Sequence, residues 1–384
     1  MIYFDNSASA IPNPMALESA AEAMKHFANP SSPHFAGLEA RGMVEEARKK
    51  AAAALVCSQT EIFFTSSGTE ANNMAILSMA DKNKRAGNVI VTSHAEHPSV
   101  TETFKALEAK GYKAVFIPVE GGELDYDFLE KTLKSEKVCL VSLMQANNQN
   151  AAITDLKEVR EAITAAGSNA LFHSDIVQGF LKVPESMTDY AVRYCDTASL
   201  SAHKIGGLKG IGALFVRKGL KLSPIIFGGG QETGLRSGTE NVVGIAAFGT
   251  AARLFSADKS YRAKITRLRE IFIEKSKDLL GEAADFKIPK SHIDALINIS
   301  LKNVKSEVAM NYLSSKGICV SSSSACSSKA GENTALAAFG YGDEYNSSSL
   351  RISFSPFNTE EEVEILVREL KNALAFRIKR NKAK

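Results

Sequence analysis

Six short runs in the middle of the chain are apolar and rich in β-branched residues: "NVIVTS" (88–93), "KAVFIPV" (113–119), "KVCLVSLMQ" (137–145), "NALFHSDI" (169–176), "TASLSAH" (197–203) and "GALFVRK" (212–218). Runs this short, without an alternating polar face, predict strands buried on both sides of a sheet. Helical spacing lies between several of them. Pro98 opens a pattern carrying Val100, Phe104 and Leu107 that Gly111 closes. Asp155 caps another carrying Leu156, Val159 and Ile163, closed by Gly167. Buried strands alternating with helices predict an α/β protein with a mostly parallel sheet, which binds its ligands at the carboxyl ends of the strands.

The texture changes after about residue 255. A long charged helix, "YRAKITRLREIFIEKSKDLL" (261–280), is followed by strand-like "ALINISL" (295–301) and "SLRISFS" (349–355), then a last helix over 359–376. This divides the chain into a large domain, 15–255, and a smaller α+β domain built from 1–14 and 256–384. The smaller domain carries "SSSSACSSKAG" (321–331), in which one cysteine stands among six serines. Such a run has too little apolar surface for a core and reads as a mobile solvated loop, about 321–332.

Composition narrows the classes of function. Of 384 residues, 45% are hydrophobic and 23% charged, as in an ordinary soluble protein. A net charge of +3 gives no ground for nucleic-acid binding, and the basic end "FRIKRNKAK" (376–384) reads as a solvated terminus. No apolar stretch reaches the roughly 18–20 residues of a membrane span, and "MIYFDNSASA" has no charged n-region or apolar h-region of a signal peptide. Cys57, Cys139, Cys195, Cys319 and Cys326 are odd in number and form no CxxC pair, which argues against a disulfide framework or a structural zinc site. No metal and a reducing, cytoplasmic setting are expected.

Four segments carry candidate chemistry. In "EIFFTSSGTEANN" (61–73), a strand, a turn and a helix put Ser66, Ser67, Gly68 and Thr69 at a helix N-terminus, suited either to a phosphate or to plain capping. In "SLSAHKIGGLKGIGALFV" (199–216), Lys204 follows a buried strand, as a Schiff-base lysine or a surface one, with Ser201 and His203 as possible phosphate donors. Asp175 in "FHSDIVQGF" (172–180) is an acid in an apolar strand, able to hold a protonated pyridinium nitrogen or to cap the next helix, with Gln178 close to the same ring. His97 in "SHAEHPSV" (93–100) ends a strand, where an imidazole either stacks on a cofactor ring or is structural. Each segment is ambiguous alone. Together they supply a phosphate cup, a lysine, a carboxylate and a stacking ring on one sheet edge.

With those motifs, and with "YFDNSAS" (3–9), "ANPSSPH" (28–34), "ANN" (146–148), "GGGQETGLRSGTEN" (228–241), "SSSSACSS" and "SSLRIS", nearly the whole chain resembles the cysteine desulfurases of the NifS/IscS type. These are class V aminotransferase-family enzymes of pyridoxal phosphate (PLP) fold type I. The resemblance implies a seven-stranded, mostly parallel sheet in the large domain and a smaller α+β C-terminal domain. It implies that Lys204 carries PLP as a Schiff base and moves protons at the substrate carbons. Asp175 is then paired with the ring nitrogen, His97 stacks on the ring and acts catalytically by assisting proton transfer, and Gln178 and Asn148 lie near the ring hydroxyl. Gly68, Thr69, Ser201 and His203 are implied at the phosphate, and Thr239 at the phosphate of the neighbouring subunit of a homodimer. Arg351, with Asn148, is implied at the substrate carboxylate, and Cys326 as the thiol that takes sulfur from L-cysteine, leaving alanine.

The implied destination of the sulfur is an acceptor protein, either an iron–sulfur scaffold or a thiolation enzyme. The chain departs from the family's usual pattern at "NNQNAA" (147–152), at "NSASA" (6–10) and at Ser323, where glycine is usual. A selenocysteine lyase or another class V aminotransferase-type enzyme would use the same cofactor. Transamination needs no loop thiol, so Cys326 favours the desulfurase, while a lyase for selenocysteine is separated less sharply.

Overall fold

The structure is a computed structural model that describes residues 1–322 and 335–377. Its centre is a seven-stranded sheet of β1 (Ile62–Thr65), β2 (Val89–Ser93), β3 (Lys113–Ile117), β4 (Val138–Ser142), β5 (Leu171–Asp175), β6 (Thr197–Ser201) and β7 (Gly212–Val216). The spatial order is β1-β7-β6-β5-β4-β2-β3. Pairing is parallel from β6 through to β3, whereas β7 runs antiparallel to both β1 and β6. The strands β2, β4, β6 and β7 are buried at every residue, as expected of a sheet covered on both faces.

The connecting helices start and stop where local chemistry dictates. Pro98 occupies the first turn of helix Pro98–Glu108, and the Asp155 carboxylate accepts from the N–H groups of Lys157 and Glu158 at the start of Leu156–Ala165. Gly111 and Gly167, at φ 91° and 63°, take the left-handed conformation that ends each pattern. Every expected strand is present but shorter than its apolar run. The end of "KAVFIPV" leaves the sheet, and Val119–Glu120 pairs with Glu123–Leu124 in a separate hairpin.

A second sheet has the order Ala284–Phe286, Leu296–Leu301, Ser349–Ser353, Ser321–Ser322, all antiparallel. The chain start joins this side of the molecule: Ile2 and Tyr3 pair with Ile318 and Cys319, and Asp5 bridges to Ser353. The loop expected over 321–332 begins differently from expectation, because Ser321 and Ser322 pair with Arg351 and Leu350 as a strand. Small polar side chains do not prevent pairing where an edge is offered. Residues 323–334, with Cys326 and Ser323, lie outside the described residues. No helix of the described residues is long and apolar enough to cross a membrane.

Candidate active site

The carboxyl ends of β1, β2, β4, β5 and β6 open on one cavity of about 360 Å³. Its lining includes Gly68, Thr69, His97, Asn148, Asp175, Gln178, Ser201, His203, Lys204 and Arg351. Of the residues singled out in the sequence, Thr239 is exposed and absent from this lining, and Cys326 lies outside the described residues.

At one end, the turn after β1 leads into helix Gly68–Lys82, where the Ser67 hydroxyl accepts from the Glu70 N–H. Close packing forces the small residues here. A Cβ on Gly68 would meet Val177 Cγ2 at 2.7 Å, and one on Gly212 would come within 2.6 Å of the Ser67 carbonyl carbon and 2.7 Å of the Leu200 oxygen. The turn is also tied from outside. Burial pushes the Glu70 carboxyl upward, but Arg236 Nε at 2.8 Å and the Ser66 hydroxyl and N–H outweigh it and hold the group below the usual range. Segment 228–241 is held in turn by Glu232, whose buried carboxylate receives two bonds of 2.8 Å from Arg48 and one of 2.9 Å from the Phe64 N–H on β1.

Lys204 ends the single turn Ala202–Lys204 after β6. Its Nζ donates to the carbonyls of Ser7, at 2.6 Å, and Ala8, at 2.9 Å, so the N-terminal segment forms one wall of the cavity. The Gln178 Nε2 donates to the same Ser7 carbonyl, and its Oε1 accepts from Lys182 Nζ at 3.1 Å. Burial, with the charges of Lys204 and Arg351, pushes Lys182 down to about 7. Burial and the charges of Lys204, Lys182 and Lys209 push His203 down to about 4, leaving a neutral imidazole at neutral pH. His97 is also lowered, by burial first, with Asp175 acting in the opposite direction.

Asp175 is 6% exposed. Its Oδ1 accepts from the Val177 N–H at 2.9 Å and its Oδ2 from Asn72 Nδ2 at 2.7 Å. Among the described residues it has no cationic salt-bridge partner. A buried carboxylate facing a cavity is stabilised by a cation there, and the protonated nitrogen of PLP is a cation of that kind. With a helix N-terminus for the phosphate and Lys204 for the aldehyde, the residues fit the cofactor. Asn72 escaped the sequence reading, although an asparagine at a helical spacing from Ala75 and Ile76 places an amide on the helix's buried side.

On the opposite wall Arg351, 6% exposed, donates from Nη1 to the Asn148 carbonyl at 2.9 Å and from Nη2 to Asp5 Oδ1 and Ser321 Oγ, each at 3.0 Å. Its Nε is buried with no hydrogen-bond partner among the described residues.

The family model described as Aminotransferase class-V matches residues 2–366. The chain belongs to the class V aminotransferase family. Among its relatives in that family is cysteine desulfurase IscS of Methanosarcina thermophila, 36% identical over 375 residues that cover 94% of this chain and 89% of the relative. A NifS/IcsS protein homolog of Lactobacillus delbrueckii subsp. bulgaricus is 39% identical over 95% of this chain and 94% of its own. The solved structure of a NifS-like protein superposes with a TM-score of 0.89 at 33% identity, covering 98% of this chain and 99% of that one. These likenesses make this class V family member a cysteine desulfurase of the NifS/IscS type, a PLP-dependent group with fold type I.

Proposed function

We propose that this cysteine desulfurase binds PLP as a Schiff base on Lys204 and passes the sulfur of L-cysteine to Cys326 as a persulfide. The observation that carries the reading is the convergence, in one cavity, of Lys204, the buried Asp175 carboxylate and the helix N-terminus at Gly68 and Thr69. The solved SspA in complex with cysteine, 28% identical with a TM-score of 0.80 over 94% of this chain and 100% of that one, supports L-cysteine as substrate.

When bound, PLP supplies an electron-accepting ring that acidifies the substrate Cα–H. With PLP bound, Asp175 would keep the ring nitrogen protonated, Gln178 and Asn148 would serve the ring hydroxyl, Gly68, Thr69, Ser201 and His203 would hold the phosphate, and His97 would serve as the stacking and proton-transfer residue. Arg351 and Asn148 orient the substrate carboxylate. Lys204 takes the Cα proton and returns a proton to the carbon skeleton. The Cys326 thiolate attacks the substrate sulfur: a sulfur–sulfur bond forms, the substrate Cβ–S bond breaks, and its electron pair stays with carbon. After protonation the skeleton leaves as alanine, and the enzyme keeps the sulfur as Cys326–S–SH. The acceptor is an iron–sulfur scaffold or thiolation protein.

Exposed Thr239 lies on a segment anchored by Arg48, Glu232 and Arg236, which supports its reaching the phosphate of a second subunit in a homodimer. The two larger sheets, of seven and four strands, support a large domain over 15–255 and a small one from 1–14 and 256–384. The unpaired state of Cys57, Cys139, Cys195 and Cys319 supports a reducing, cytoplasmic setting.

The test is alanine and sulfide release from L-cysteine under reductant, compared with Cys326→Ala. The variant retains the cofactor absorbance band and releases almost no alanine. Equal alanine from both proteins would rule out persulfide transfer through Cys326.

A further inference from the structure

Three hydrogen bonds beneath the cavity meet at Asn72, which is 1% exposed. Its Nδ2 donates to Asp175 Oδ2 at 2.7 Å and to Ser99 Oγ at 2.8 Å, using both amide hydrogens. Its Oδ1 faces His173 Nε2 at 3.0 Å. The amide cannot be turned over, because that would press Oδ1 against the Asp175 carboxylate, acceptor against acceptor. An amide oxygen only accepts, so the His173 proton sits on Nε2. Burial, which pushes this histidine down to about 3, agrees with a neutral ring.

The direction of donation then propagates. Ser99 Oγ already accepts from Asn72, so its own hydrogen is free to point at His97 Nδ1, 2.7 Å away. The Ser99 N–H donates to the same nitrogen at 3.1 Å. A nitrogen receiving two donors carries no proton, and the single proton of neutral His97 is therefore on Nε2. The charged groups facing this ring are Asp175, which favours protonation, and Lys204, which opposes it. Glu96, next in sequence, is itself buried.

We propose that Asn72 and Ser99 are positioning residues that fix two groups of the site at once: they hold Asp175 by Oδ2 and lock His97 as the neutral tautomer with its proton on Nε2. The inference rests on the cofactor reading above. In that setting His97 holds a proton at Nε2 and serves as a donor to ring, substrate or leaving group, while Lys204 is the group that accepts the Cα proton. The polarity runs from His173 through Asn72 and Ser99 to His97, so one amide sets both the carboxylate and the imidazole. Ser99 belongs to the arm that reaches His97 alone, which makes the two consequences separable by mutation.

The experiment uses the PLP-loaded full chain, with histidine nitrogens labelled and His97 assigned by comparison with His97→Gln. In the wild type the ¹⁵N shifts report a bare Nδ1 and a protonated Nε2. Ser99→Ala gives a mixture of tautomers and lowers kcat by about tenfold, with PLP affinity unchanged. Ser99→Thr, which keeps the hydroxyl, restores both. Asn72→Ala additionally weakens PLP binding by about tenfold, read by titrating the cofactor absorbance. If that variant fails to fold, the two Ser99 variants still decide the matter. A wild-type proton on Nδ1, or a Ser99→Ala protein with wild-type tautomer and kcat, overturns the inference. Absence of a cofactor band and of alanine release in the wild type itself would instead remove the underlying reading of the site.

Discussion

Replacing Glu96 with glutamine should reverse a pH dependence that the fold imposes on its own stability. Glu96 is 6% exposed; its Oε1 accepts from the Met144 N–H at 2.8 Å and the Ser93 hydroxyl at 3.1 Å, and its Oε2 has no partner among the described residues. Burial dominates and, with the nearby negative charge of Asp175, pushes the acid up to about 8 against the opposing effect of those two bonds. The unfolded chain releases this proton near 4.5. Between those values the folded state binds one proton more than the unfolded state, so stability is fully present below about 4.5 and is lost as pH rises through about 8.

From pH 5.5 to 7.5 the linkage removes about 2–3 kcal/mol. For a chain of 384 residues unfolding as one unit, that is a fall of about 3 °C in Tm. His173 and His203, pushed down to about 3 and about 4, act with the opposite sign, withdrawing stability as pH falls below about 6.5. The wild-type curve alone is therefore a composite. The informative quantity is the Tm difference between the PLP-loaded wild type and Glu96→Gln, in which the histidines cancel. Thermal melts should show the wild type losing about 3 °C relative to the variant between pH 5.5 and 7.5. A difference that stays constant to within about 1 °C would refute the reasoning, because it would mean that Glu96 is equally ionised in both states.

Three further changes probe the walls of the site. Gly212→Ala drives a methyl into the backbone of Ser67 and Leu200, so it should displace the phosphate turn, destabilise the fold by about 1–3 kcal/mol and weaken PLP binding in an absorbance titration. Arg351→Lys gives up the forked donor geometry, and steady-state alanine kinetics should show KM for L-cysteine raised about tenfold or more with a smaller change in kcat. Glu232→Ala removes the bidentate partner of the Arg48 guanidinium, whose side chain is only 12% exposed and which keeps the Ile62 carbonyl and Glu45, and a denaturant melt should register a loss of about 2–4 kcal/mol.

Much of the architecture is written in local pattern. The buried runs at 88–93, 137–145 and 197–203 could not be helices of useful length, and Pro98, Asp155, Gly111 and Gly167 mark helix ends through chemistry confined to a few neighbouring residues. Lys204, Asp175 and His97 were legible because each ends a strand, and in a parallel sheet strand ends share one edge. The one antiparallel strand of the seven-stranded sheet, β7, was not legible, since an apolar run has no direction until its partners are known. The short strand Ser321–Ser322 was hidden for a related reason: its pairing depends on an edge offered by Ser349–Ser353, which its own serines do not encode.

Local pattern was enough to offer a lysine, an acid, a histidine and a helix N-terminus at the ends of four strands of one sheet. Only the tertiary structure decided how their protons and charges are arranged. Asn72 and His173 are about a hundred positions apart, as are Asn72 and Asp175, yet one amide joins all three, and Glu96 carries a raised affinity for its proton because the fold removes water from it. Strand order and burial are long-range properties, and hydrogen-bond polarity and proton affinity follow from them.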